Sequence, residues 1–144
     1  MIQQARKLGM KSDFCSEDAV FHPKFLEVAG QSAEGVYLTF AQAPDTPERQ
    51  QFIKTYKAMW KANAVGSYAY YAYDAAMMAL AAIEKAGTYK ADALQKTLRG
   101  NTWTGVSGDI EFDKHGDRKL AHIVWLVKDN QFVPHWDPLT GKDL

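Results

Sequence analysis

Hydrophobic and polar positions change their period several times along the chain, and each change marks an element. The longest uniform stretch is Tyr68 to Ile83, YAYYAYDAAMMALAAI, where every residue but Asp74 is apolar or aromatic. Its alanines and methionines favour helix, and no proline interrupts them. Ser67 is placed to cap the start, and Gly87 to supply the left-handed residue that ends it. An amphipathic surface helix carries one apolar stripe; this one is apolar almost all round, which predicts cover on most of its sides. It does not read as a membrane span, being short of about 20 apolar residues, rich in weakly apolar alanine and interrupted by Asp74.

Other elements follow from the same reading. Ile2 to Leu8 reads as the end of a helix stopped by Gly9. Lys11 to Cys15 reads as a short strand, Ser16-Glu17-Asp18 as a loop, and Pro23 to Ala29 as a short helix closed by Gly30. GVYLTF, Gly35 to Phe40, is β-branched and aromatic and predicts a strand. Asp45 or Thr46 caps the next helix, with Pro47 in its first turn. Phe52, Ile53, Tyr56, Met59 and Trp60 give that helix one apolar face to about Ala62. Ala91 to Arg99 is a third helix, with Leu94 and Leu98 inward. Beyond it the period becomes two. GVSGDIEFD, Gly105 to Asp113, predicts one half-exposed strand, and Asp113 to Asp117 a turn. Leu120 to Val127 and Gln131 to Trp136 form an antiparallel hairpin about Lys128-Asp129-Asn130, and the polar tail reads as loose. Alternating helices and strands indicate an α/β fold with a parallel sheet.

Composition narrows the function without naming it. At 144 residues one compact domain is the default, able to bury about two thirds of its unfolded surface. Lys+Arg and Asp+Glu both number 17, and no basic run occurs, so neither nucleic acid nor a membrane surface is an expected partner. Cys15 stands alone, which excludes an intrachain disulfide and a thiolate zinc cluster. MIQQARKLGMK has no apolar stretch after its basic residues and is no signal peptide; if the chain is complete as given, it is cytoplasmic.

Catalytic signatures are missing. In Gly105-Val106-Ser107-Gly108 the last glycine falls one residue early for a nucleophile elbow, and the stretch reads as a turn before a strand. Cys15 reads as a buried, inert thiol. His22, His115, His122 and His135 lack metal-ligand spacing, and Asp113, Gly116 and Asp117 match only a corner of a calcium loop. No metal, cofactor or enzyme activity is expected. Two features remain. Tyr68, Tyr70, Tyr71 and Tyr73 cluster at the start of the apolar helix, where a phenol can face a cleft with both a ring and a hydroxyl. Glu17 and Asp18 follow a strand, and loops at the carboxyl ends of strands are where α/β folds bind ligands; a carboxylate there suits an ammonium group.

Taken in order, FLEVAGQSAEGVYLTF, PERQQFIKTYKAMW, YAYDAAMMALAAIEKAG, LRGNTWTGVSGDIEFDKHGDR and HIVWLVKDNQFVPHW carry a resemblance over nearly the whole chain. The sequence resembles the C-terminal part of ABC-transporter substrate-binding proteins of the branched-chain amino-acid (leucine/isoleucine/valine-binding) type. That resemblance implies a partial type I periplasmic-binding-protein fold, two lobes with a ligand cleft, hinge closure, a transporter permease as partner and a periplasmic location. Residues 1–39 would belong to the second lobe, 40–113 to the returning part of the first, and 114–144 to a hairpin and tail crossing back. It also implies that Asp18, with Glu17 as the near alternative, meets an amino-acid ammonium, and that Tyr73 lines the side-chain pocket, with Tyr70 beside it. The family's N-terminal half has no counterpart here, so the chain is expected to be a fragment or a truncated product. A rival expectation is a stand-alone α/β module that covers its exposed apolar surface by forming a homo-oligomer.

Overall fold

The computed structural model describes residues 1–120 and 122–144. The chain divides into two compact units: Met1–Gln42 with Ala121–Leu144, here the sheet unit, and Ala43–Leu120, the helical unit.

In the sheet unit the elements are α1 (Ile2–Lys7), β1 (Phe14–Ser16), α2 (Pro23–Ala29), β2 (Val36–Ala41), β5 (His122–Lys128), β6 (Gln131–Asp137) and β7 (Lys142–Asp143). Strand order is β1-β2-β5-β6-β7. Only β1 and β2 run parallel; β5, β6 and β7 are added antiparallel. The parallel-sheet expectation therefore holds for one strand pair, because the hairpin brings the chain back beside β2. Val36, Leu38 and Phe40 alternate onto the buried side of β2 and Thr39 onto the exposed side. Leu38 and Val36 pack with Ala29, Ala33 and Val127, and Phe25, Leu26 and Phe132 close over them. Phe21 stacks on Phe40 and on Phe132, both at 4.5 Å between ring centres, and meets Trp125 edge-on at 4.8 Å. The indole N–H of Trp125 donates to the Phe40 carbonyl at 3.0 Å. Asp129 and Asn130 both take positive φ, which gives the two-residue turn that suits right-twisted strands. The tail is not loose: β7 pairs with Trp136 and Asp137.

In the helical unit α3 (Pro47–Trp60), α4 (Ser67–Ala86) and α5 (Ala91–Arg99) precede a small hairpin of β3 (Trp103–Gly105) and β4 (Gly108–Ile110). Thr46 caps α3, its hydroxyl accepting from the Arg49 amide at 3.2 Å. Gly87 ends α4 in the left-handed conformation, as expected, but Ser67 is inside the helix and Gly66 is its N-cap. The single strand expected over Gly105 to Asp113 is instead the end of β3, a turn at Val106-Ser107, and β4. Phe112 is left to an isolated bridge with Arg118. The cover expected around α4 is mostly missing within its unit. Tyr70 and Ala82 are buried, yet Leu80 is 63% exposed and Met77 and Tyr68 are also exposed. The one polar residue of the run, Asp74, is 3% exposed. On α3, Met59 and Trp60 are exposed too, and no residue is buried.

Candidate functional site

An open groove of about 940 Å³ runs through the helical unit. Phe52, Tyr56 and Met59 of α3 form one wall, Tyr73 and Met77 of α4 another, and Trp103 to Val106 of the hairpin the third. Its lining is mainly apolar and aromatic, with the hydroxyls of Thr55 and Thr104 and the carboxylates of Glu48 and Asp74 among it, the composition expected of a small-molecule site.

Phe52 organises the tyrosines. Its ring centre lies 4.9 Å from Tyr73 and 5.3 Å from Tyr70, both at tilted angles favoured by aromatic quadrupoles. Tyr73, 43% exposed, presents its outer side to the groove. Tyr70 is buried, and the Arg49 guanidinium sits 3.9 Å above its ring. Arg49 Nη1 is itself buried without a hydrogen-bond partner, and the ring face beneath the guanidinium offsets part of that lost hydration. Burial pushes the Tyr70 phenol above its ordinary pKa, and the charge of Arg49 opposes the shift.

Glu17 and Asp18 belong to the sheet unit. Glu17 is the cap of a single 3-10 turn, Asp18–Val20, and its carboxylate accepts from the Ala19 amide at 3.1 Å. Asp18 is half-buried as the first residue of that turn, directly after the carboxyl end of β1. The structure thus brings Tyr70 and Tyr73 together across Phe52, and sets Glu17 and Asp18 side by side in the other unit.

Several groups had no role in the sequence reading. The hydrophobic pattern places Phe52 on the apolar face of its helix and marks no role for Trp103 or for the partners of Asp74. The signal for Asp74 was present: a lone acid in an apolar helix needs donors, but periodicity does not say where they are. They are Val106 N at 2.8 Å, Ser107 N at 2.8 Å and Ser107 Oγ at 2.5 Å. Two other expectations change. Cys15 is exposed, because it lies on the outer side of the edge strand β1. His22 is a helix cap, its Nδ1 accepting from the Lys24 amide at 3.0 Å. The loop from Asp113 is held by that residue's side chain: Asp113 Oδ1 accepts from the amides of His115, Gly116 and Asp117 at 2.8 to 2.9 Å. Those bonds, led by that from Asp117, hold its carboxyl below the ordinary pKa. Among the described residues no group of three or more His, Cys, Asp or Glu side chains is arranged to hold a metal, and no helix is long and apolar enough to cross a membrane.

Known proteins resemble this chain in sequence and in fold. The sequence pattern of the family described as "Periplasmic binding protein" matches residues 1–131. The chain belongs to the periplasmic binding protein family. Among relatives of this family, it is 28% identical over 120 residues to the leucine-, isoleucine-, valine-, threonine- and alanine-binding protein of Pseudomonas aeruginosa, covering 83% of this chain and 32% of that one. It is 29% identical over 123 residues to the Leu/Ile/Val-binding protein of Escherichia coli, with the same two shares. The leucine-binding protein of Thermotoga maritima superposes with a TM-score of 0.78 at 26% identity, over 96% of this chain and 41% of that one. A substrate-binding protein from Desulfitobacterium hafniense solved with Leu shares the fold, with a TM-score of 0.67. This family member therefore has the α/β fold of its neighbours and spans about a third of the length of the curated relatives it matches. These relatives are named as amino-acid-binding proteins.

Proposed function

We propose that this chain acts in the solute-binding component of an ABC transporter for branched-chain or related amino acids, in the periplasm and with a permease as its partner. The observation that carries the reading is the family match over residues 1–131, joined to relatives named for binding leucine, isoleucine and valine. In this reading residues 1–39 and 114–144 correspond to one lobe of such a protein and residues 40–113 to the other. Asp18 offers its carboxylate to the ligand ammonium, Glu17 being the alternative, since a charge-assisted hydrogen bond suits that pairing. Tyr73 offers an aromatic face to an apolar side chain, backed by Phe52, and Tyr70 stiffens that wall from beneath. Calorimetric titration with leucine, isoleucine and valine tests the reading. Heat with one or more of them is expected, and Asp18→Ala should weaken that binding by at least about 1 kcal/mol. Silence with every branched-chain amino acid would refute binding by this chain.

A second reading has its own observation. Met59, Trp60, Tyr73, Met77 and Leu80 leave an apolar surface uncovered on the helical unit. Contiguous patches of that kind are where soluble proteins associate. A second copy of the chain covering this face would make a homo-oligomer. Light scattering decides it: a mass that stays monomeric across a hundredfold concentration range excludes the oligomer.

A further inference from the structure

We propose that Asp74, Ser107 and Arg118 form a positioning device that fixes the roll of α4 and therefore the direction in which Tyr73 faces the groove. Its functional consequence rests on the reading of Tyr73 as a ligand contact; the device itself rests on geometry alone.

Most of what α4 presents to its neighbours is apolar, and apolar contact is not directional. Such a helix can roll a few tens of degrees and exchange one alanine or methionine for the next. Asp74 removes that freedom. Its carboxylate accepts from Val106 N, Ser107 N and Ser107 Oγ, all at the turn between β3 and β4. The Ser107 hydroxyl has one proton, which its neighbours commit: a carboxylate only accepts and a guanidinium only donates. Ser107 Oγ therefore donates to Asp74 and accepts from Arg118 Nη1 at 2.9 Å. Arg118 Nη2 donates to the carbonyls of Ser107 at 3.2 Å and Asp109 at 2.9 Å, so the compensating charge reaches Asp74 through the hydroxyl. Gly105 completes the fit, since a Cβ there would overlap the Asp74 carboxylate. Asp74 is next to Tyr73 in sequence and one turn beyond Tyr70, so the bonds that hold it set both rings.

The test uses Asp74→Asn in the whole chain, read by amide exchange and by the ring resonances of Tyr73. The variant keeps the shape but turns one acceptor into a donor facing donors. Exchange at Val106 and Ser107 should rise at least tenfold, and the Tyr73 ring signals should move. Gly105→Ala, which displaces the carboxylate without removing its charge, should move the same signals. The double variant should be no worse than the worse single one, because both act through one contact. Faster exchange with unmoved Tyr73 signals would reduce the cluster to a local staple and overturn the proposal; unchanged exchange would overturn it outright. If Asp74→Asn does not fold, Ser107→Ala carries the same readouts with a smaller rise, about threefold. Leucine titration separates this proposal from the function it rests on. A Tyr73→Ala variant that binds like the parent sinks the ligand reading of Tyr73. Weakened Tyr73→Ala beside an unaltered Asp74→Asn sinks the positioning.

Discussion

Leu38 in the sheet unit and Leu80 in the helical unit are the same residue within apolar stretches of sequence, yet one is 1% exposed and the other 63%. The difference comes from how each element satisfies its backbone. A strand needs neighbours for its N–H and C=O groups, so β2 recruits β1 and β5, and the aromatic layer of Phe21, Trp125 and Phe132 comes with them. A helix satisfies its backbone internally. α4 can thus exist with an apolar side bare while it packs on α3 through Tyr70 and Tyr73 and is held at the hairpin turn by Asp74. The sheet unit closes its core from its own residues, whereas the helical unit presents a groove and an uncovered face.

Breaking the comparison at its widest point gives the largest expected effect. Leu38→Ala empties a fully buried position and should cost about 2 to 5 kcal/mol in denaturant unfolding. Leu80→Ala should change stability by no more than about 0.5 kcal/mol, as surface substitutions usually do. A large loss at Leu80 would mean that the α4 face is covered after all.

Acid should separate the units by less. Hydrogen bonds from Thr102 and Lys119 hold Glu111 below its ordinary pKa, the backbone amide of Asp117 does so first for Asp113, and the Thr140 hydroxyl first for Asp137. A carboxyl with a depressed pKa in the folded state adds stability above its unfolded value, about 4, and that contribution is lost as pH falls through the folded value. The helical unit holds two of these groups and the sheet unit one. Amide signals of the helical unit should therefore weaken first on acidification below about pH 4, by a small margin. Loss of both units at one pH, or of the sheet unit first, would contradict that ordering.

The sequence reading located elements well and neighbours poorly, for the same physical reason. Pro23 to Ala29 and Ala91 to Arg99 carry their boundaries in local residues, and both helices occur with those bounds. The Asp129-Asn130 turn is likewise written in residues that tolerate positive φ. What periodicity could not carry was the identity of a partner remote in sequence. GVSGDIEFD alternates like one strand, but the amides of Val106 and Ser107 turn toward a carboxylate on another element. The tail pairs with β6 although Pro138 and Gly141 mark it as turn. An apolar run in α4 announces a helix and leaves its cover unspecified. For the candidate site, Tyr70 and Tyr73 were visible as a cluster, whereas Phe52, which joins them, lay in the apolar stripe of another helix.

Oxidative footprinting reads the bareness of the helical unit residue by residue. Hydroxyl-radical labelling at the lowest workable concentration, where any association is dissolved, should modify Met59, Trp60 and Met77 rapidly and Trp125 slowly. Protection of Met59, Trp60 and Met77 to the level of Trp125 under that condition would show that the chain covers this face itself, and would contradict the account.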